Sequence, residues 1–150
     1  MYKHRFLRLT LGVALLGVPI TSLGQSSDLA DAITRVLSWL DRGYQLVPET
    51  GQWGLAYGLF EEGERKVLRF DAIAGHSYRI AGAGDEDATD LDICVYDSDG
   101  DEVDCDASTD NIPVVQFTAR RSGTFRAVMR LYKSDLGIAF AGMAVLRKTD

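Results

Sequence analysis

One stretch decides the fold class: Phe125-Arg126-Ala127-Val128-Met129-Arg130-Leu131-Tyr132. Its odd-numbered residues are all apolar, whereas its even-numbered residues include two arginines and a tyrosine. Because successive side chains of a strand point to opposite faces, this pattern is typical of an antiparallel sheet with one face on a core and one wetter face. No alternation of strands with helices surrounds it, which disfavours parallel α/β folds and their nucleotide sites.

Short segments of the same kind recur on both sides of this stretch, separated by Gly, Asp or Ser turns. One short strand is expected around residues 54–59. The other predicted strands are 67–72, 78–81, 91–96, 103–105, 114–118, 124–131 and 140–146. The sequence therefore predicts a mainly β protein, an antiparallel β-sandwich of about seven to eight strands.

The N-terminal segment has the features of a signal peptide. Three bases precede an apolar run over residues 9–20, and the small residues Ser22 and Gly24 offer a cleavage site before Gln25. Removing residues 1–24 would change the net charge from −6 to −9, because that segment holds three bases and no acids. We expect a periplasmic or secreted product with no integral membrane anchor and no generic basic face for nucleic acid.

A single amphipathic helix is predicted after the cleavage site, over residues 25–44. Ser27 or Asp28 can cap it, and Gly43 is the natural stop. Its apolar stripe should pack on the domain's own core; the alternative is docking on a partner or a second copy. The rest of the chain, residues 45–150, is expected to form the sandwich.

Three motifs in register resemble a known family. They are Phe70-Asp71-Ala72-Ile73-Ala74-Gly75-His76-Ser77-Tyr78, then Asp90 to Gly100 (DLDICVYDSDG), then Ser122-Gly123-Thr124-Phe125. Together they resemble the bacterial pre-peptidase C-terminal domain over residues 55–147. The resemblance implies a small secreted jelly-roll-like sandwich, which usually accompanies an exported enzyme.

The expected setting differs from that family's, because no catalytic domain precedes the module. The chain is also similar to free-standing exported proteins with a GxxDxDxxDLDL stretch. The cysteines that flank the acidic pair in those proteins correspond to Gly84 and Ala88.

Twelve acids and no Lys or Arg lie between Asp85 and Asp110. A divalent cation with six to eight oxygen ligands would offset the repulsion, and calcium is the cation expected. The best candidate ligands stand in a loop that leads into a strand: Asp85, Asp87, Asp90 and Asp92. The alternative is a solvated acidic edge that discourages strand-to-strand aggregation.

Other candidate sites are weaker. The segment Asp97-Ser98-Asp99-Gly100-Asp101 is not an EF-hand, because its glycine is fourth rather than sixth and the twelfth position is Ser108. A glycosidase pair of carboxylates would need a cleft that no segment specifies. His76 and Ser77 are adjacent on an extended segment, so their side chains should diverge and a Ser-His dyad is not indicated.

Aromatic and basic residues complete the candidates. Four aromatic residues could form a platform for a sugar or peptide: Trp39, Tyr44, Trp53 and Tyr57. The alternative is that they pack in the core or anchor loops. Arg120 and Arg121 are interpreted as a solubilising turn.

Whether Cys94 and Cys105 can form a disulfide depends on the register of the hairpin that contains them. A two-residue turn at Asp99-Gly100 would pair them directly, but it would set Val95 and Ile93 opposite acids. A three-residue loop of residues 98–100, with Gly100 in a left-handed bulge position, pairs Val95 with Val103 instead. Because an apolar face usually fixes register, we predict the three-residue loop and two free thiols.

The sequence thus predicts a non-catalytic exported binding or envelope-associated module with a protein or glycan partner. One alternative is a calcium-stabilised structural or adhesion protein. The other is a small hydrolase or an inhibitor of one.

Overall fold

The computed structural model describes residues 22–40, 43–49 and 52–149, without the side chains of residues 22–28, 48, 49, 52 and 53. Most of the predicted signal peptide and the side chain of Trp53 therefore lie outside the described part. The helix α1 spans Ser22–Leu37. The strands are β1 (Tyr44–Leu46), β2 (Pro48–Glu49), β3 (Gln52–Trp53), β4 (Leu55–Glu61), β5 (Arg65–Ala72), β6 (Ser77–Gly84), β7 (Ala88–Tyr96), β8 (Glu102–Asp106), β9 (Val114–Thr118), β10 (Gly123–Ser134) and β11 (Ile138–Lys148).

Nine of these strands form two antiparallel sheets, and β2 and β3 form a separate small hairpin. The first sheet has the order β9-β6-β11, with β1 and β4 both paired to the other edge of β11. The second sheet has the order β5-β10-β7-β8. From β4 onward the chain passes repeatedly from one sheet to the other, so the strand order is that of a jelly roll. The predicted sandwich is confirmed, with nine strands rather than seven to eight.

The core lies between the sheets and is filled by the inward residues of the alternating strands. In β10 the buried side chains are Phe125, Ala127, Met129 and Leu131, as the alternation predicts. An aromatic cluster closes one end of this core, with ring centroids 5.6 to 5.9 Å apart: Phe70, Tyr78, Phe117 and Phe125. The inner faces therefore carry the apolar packing that holds the two sheets together.

The helix packs on the outer face of the first sheet, against small side chains of β6 and β11. Val36 lies there on Ala81, Ala83, Ala144 and Leu146 in a second apolar cluster. The predicted packing of the helix on its own domain is therefore observed.

The helix ends at Leu37, earlier than the stop predicted at Gly43. Ser38 closes the last turn, with its hydroxyl donating to the carbonyl of Arg35 at 2.7 Å. The chain then has to reach the sheet, because Tyr44 pairs with Lys148 to begin β1. The strand β1 is not among the strands predicted from the sequence. Its three residues carry little pattern of their own and pair with a distant strand, β11.

No helix in the described ranges is long and apolar enough to span a membrane.

Candidate functional site: the acidic hairpin

The four predicted calcium ligands do not converge on one point. Asp85 is 2% exposed, and its carboxylate accepts from the backbone N–H groups of Phe140 at 2.8 Å and of Asp87 and Ala88 at 3.2 Å each. It thus fastens the β6–β7 turn to β11. The backbone carbonyl of Asp87 accepts from the N–H of Asp135 at 3.0 Å, which adds a second tie across the same turn.

Asp90 and Asp92 lie further along, on β7. Asp90 is 9% exposed, and its Oδ1 has no hydrogen-bond partner among the described residues. Burial and the neighbouring charges of Asp90 and Asp106 raise the pKa of Asp92, although Arg130 opposes this shift. Calcium binding by Asp85, Asp87, Asp90 and Asp92 stays a prediction.

The carboxylates that do meet are those of Asp97, Asp99 and Asp101, at the tip of the β7–β8 hairpin. We call residues 88–106 the acidic hairpin. Its turn contains Gly100 at φ 93°, and the backbone N–H of Gly100 donates to the carbonyl of Asp97 at 3.1 Å. Only a residue without a side chain adopts this left-handed conformation readily, which explains the glycine.

Asp97 organises the tip from inside. Its Oδ1 accepts from the N–H of Asp99 at 2.9 Å and of Asp101 at 3.1 Å, while Arg121 forms a salt bridge to its other oxygen at 2.9 Å. Arg121 also pairs with Asp99. The guanidinium therefore supplies the positive charge that the acidic turn needs, and Arg121 is a structural link between two turns rather than only a solubilising residue.

Burial alone would raise the pKa of Asp97, but the backbone hydrogen bonds from Asp101, Asp99 and Gly100, together with the charge of Arg121, outweigh it and lower the pKa. The ionised form of Asp97 is thus favoured in the folded protein. It is a support for the turn and is poorly suited to act as a general acid.

We expect this support to fail in acid. Because the folded pKa of Asp97 lies below the ordinary value of 3.8, its contribution is complete above that pH and is lost as the pH falls through the folded pKa. Asp97→Asn should therefore be less stable than wild type at pH 7 and should converge with it towards pH 2. Urea unfolding midpoints from pH 2 to 7 measure this, with Glu86→Gln as a control for an exposed charge. Parallel curves for wild type and Asp97→Asn would contradict it.

The prediction of two free thiols is wrong, because Cys94 and Cys105 form a disulfide. The three-residue loop itself is present, and Tyr96 pairs with Glu102 as it requires. One step further from the turn, a register shift leaves Val103 as an extra residue, so that Cys94 pairs with Cys105. A β-bulge thus joins the predicted loop to the other register.

The acids that this register sets opposite Val95 and Ile93 do not enter the apolar core. The strand β8 is the edge of its sheet, and Asp104 is exposed there. Asp106 is half-buried, and its Oδ2 accepts from the N–H of Val114 on β9 at 2.8 Å. Val114 belongs to the other sheet, so Asp106 ties the two sheets together. Inward-pointing charges at an edge also oppose pairing with other strands, in line with the alternative of a solvated acidic edge.

Of the four candidate platform aromatics, the side chains of Trp39, Tyr44 and Tyr57 are described. The Arg79 guanidinium contacts both Trp39 and Tyr44, with its Cζ 4.6 and 4.3 Å from their ring centroids. Tyr57 is 55% exposed on β4. His76 lies in a turn, where its backbone carbonyl accepts from the N–H of Ala119 at 3.0 Å.

A depression of about 830 Å³ opens beside the hairpin tip. Its walls are formed by the tip and by the β9–β10 turn, and they include Asp101, Glu102, Phe117 and Arg121. Carboxylates, a guanidinium and an aromatic side chain are thus presented together. Sequence reasoning missed this arrangement, because Asp97 and Arg121 are distant in the chain and neither strand pattern marks their contact.

No protein-family model matches the chain, and no curated protein matches it in sequence. A solved structure does have a similar fold: PliG of Aeromonas hydrophila, a periplasmic inhibitor of g-type lysozyme. The two are 13% identical, with a TM-score of 0.50 over 68% of this chain and 93% of PliG. At this identity the likeness concerns the fold alone.

Proposed function

We propose that the chain is a non-catalytic exported protein that binds and inhibits a positively charged cell-wall hydrolase through its acidic hairpin. The observation that carries the proposal is a fixed array of exposed carboxylates at the tip: Asp99, Asp101 and Glu102. The fold of PliG, which is named as a lysozyme inhibitor, supports the choice of partner class.

The tip is held in one shape before any partner arrives. The carboxylate of Asp97 accepts from the backbone of the turn, and Arg121 forms a salt bridge to Asp97. The Cys94–Cys105 disulfide joins the two strands. A loop ordered in advance loses less conformational entropy on binding, so its contacts contribute more to affinity. A protein inhibitor that acts by occupying an enzyme's cleft benefits from a loop that is ordered in this way before binding.

The charge distribution indicates a basic partner. No Lys or Arg stands between Asp85 and Asp110, and a field of one sign accelerates encounter with the opposite sign while discouraging wrong partners. A non-catalytic role is supported by Asp97, whose carboxylate is engaged by backbone donors and Arg121 instead of facing a substrate. We place the protein in the periplasm or outside the cell, in line with the predicted signal peptide.

The test is the lysis of bacterial cell walls by a purified g-type lysozyme, with and without this protein. We expect inhibition at micromolar concentration, weakened at least about tenfold at 0.5 M salt because exposed charges are screened. Asp99→Asn combined with Asp101→Asn should weaken it by about 10- to 100-fold. The matched control is Glu61→Gln with Glu86→Gln, which removes two exposed acids far from the tip and should leave inhibition unchanged.

Absence of both binding and inhibition with g-type lysozyme and with other basic cell-wall hydrolases would overturn the proposal. Inhibition that both double variants weaken equally would overturn the assignment to the hairpin and leave only the net charge.

A further inference from the structure

The outer face of the second sheet carries two halves of opposite charge. At the centre of this face the register places outward side chains in three rows across the strands: Arg69–Arg126–Tyr96–Glu102, Val67–Val128–Cys94–Cys105, and Arg65–Arg130–Asp92. In these three rows β5 and β10 supply four arginines, whereas β7 and β8 supply Asp92 and Glu102; Asp71, beside Thr124, stands in the next row of the basic half. We call this surface the divided face.

The basic half is only partly neutralised within the chain, because Asp92 stands opposite Arg130 on the neighbouring strand. Arg126 stands directly opposite Arg69, and Arg130 stands opposite Arg65, which is an unfavourable pairing of like charges. In the described part of the chain, none of these four forms a salt bridge. Arg130 contacts the ring of Tyr132, 4.7 Å from its centroid, and its buried Nε has no hydrogen-bond partner.

The row between the arginine rows is apolar. Val67 is 49% exposed, and it continues across the sheet through Val128 to the disulfide. A surface with an apolar centre and a charged rim is typical of a protein interface rather than of an ordinary solvated face.

We propose that this face binds a second copy of the same chain. A two-fold axis parallel to the strands, between β10 and β7, lays β5 on β8 of the second copy and β10 on its β7. The rows are preserved by this operation. Arg69 then faces Glu102 of the second copy, Arg130 faces its Asp92, and Val67 and Val128 cover its disulfide.

The opposite charges that the second copy brings would also offset the repulsion between the paired arginines of each copy. Asp92, whose pKa is raised by burial and by its acidic neighbours, gains the Arg130 charge of the second copy in addition to its own. By symmetry each contact occurs twice, as an isologous interface requires. Four strands about 4.8 Å apart and about eight residues long give roughly 500 Å² on each copy, which is the size of a weak, salt-sensitive dimer.

Sedimentation velocity of the purified, processed protein tests the proposal. At about 20 mM salt we expect the dimer fraction to rise between 1 and 200 µM, and at about 0.5 M salt we expect the dimer constant to weaken at least tenfold. Arg69→Glu with Arg130→Glu, and separately Asp92→Arg with Glu102→Arg, should each weaken it by about 100-fold, because every ion pair becomes a repulsion.

Mixing these two variants provides the decisive experiment. Their reversed charges are complementary, so the mixture should form a heterodimer although neither variant dimerises alone. Heterodimer formation also shows that both variants are folded. The control Arg120→Glu with Lys148→Glu makes the same change in net charge as Arg69→Glu with Arg130→Glu, but away from the divided face, and should dimerise as wild type does.

A wild type that is monomeric at 200 µM in low salt would overturn the proposal. So would a mixture that stays monomeric while circular dichroism shows both variants folded, or a dimer that survives both reversals. Hydrolase inhibition enters none of these measurements, so this proposal and the proposed function fail independently.

Discussion

Replacing Asp85 with alanine is expected to lower the free energy of unfolding by about 3 kcal/mol, with a range of about 2 to 4. The carboxylate is 2% exposed and accepts from three backbone N–H groups, those of Asp87, Ala88 and Phe140. Alanine would leave these buried donors without acceptors. It would also remove the side-chain link from the β6–β7 turn to β11, leaving there the backbone hydrogen bond from the N–H of residue 85 to the carbonyl of Phe140 at 2.9 Å.

Urea unfolding measures this change. Asp85→Asn keeps one acceptor oxygen and should be intermediate, while Glu86→Gln, one residue further along the same turn, should change the free energy by less than about 0.5 kcal/mol. An alanine variant as stable as the Glu86→Gln control would show that the turn does not depend on this carboxylate. The same turn also requires glycine at position 84, since a Cβ there would lie 2.3 Å from the Cβ of Ala88.

The strands were predictable because burial repeats every second residue wherever a sheet has one face on a core. The predicted strand 114–118 agrees with Val114–Thr118, and the alternation in β10 identifies its buried side chains. The strand β1 was not predictable, since three residues carry too little pattern and depend on a partner about 100 residues away.

The hairpin register shows where local rules stop. The loop type follows from Gly100, but the bulge at Val103 does not, because an edge strand is free of the core that usually fixes register. The inward-pointing carboxylate of Asp106 is stabilised by a donor on the other sheet, the N–H of Val114, which the sequence of the hairpin does not reveal. The sequence shows that acids are concentrated in this segment. It does not show which of them support the turns by hydrogen bonds and which are exposed.

The divided face depends on strand order in the same way. Arg126 and Arg130 are visibly on one face of their strand, and so are Arg65 and Arg69. Only the pairing of β5 with β10 makes these pairs neighbours, and only the pairing of β10 with β7 sets acids beside them. A sequence pattern specifies which face a residue occupies, whereas the charge of a surface requires the topology.

Replacing both Cys94 and Cys105 with serine is expected to lower the free energy of unfolding by about 2 to 3 kcal/mol, since the bridge closes a loop with a sequence separation of 11. Reduction of the wild-type protein should have the same effect. Thiol titration of the denatured, unreduced protein should find no free thiol; two free thiols, together with equal stability of the serine variant, would contradict the prediction.

The loss should be concentrated in β8, because little else holds this strand. Among the described strands it pairs with β7 alone, its first three residues are exposed, and Asp106 adds a hydrogen bond from Val114 of β9. We therefore expect the serine variant to keep the circular dichroism of the sandwich while amide exchange in β8 accelerates by at least tenfold relative to β10. Because Glu102 and the tip would then lose one of the three supports that order them before binding, hydrolase inhibition should weaken more than it would from the same loss of stability elsewhere. Ala127→Gly, placed in the core of the same sheet, is the matched control, and equal inhibition by both variants at equal stability would show that the rigidity of the hairpin is irrelevant to its function.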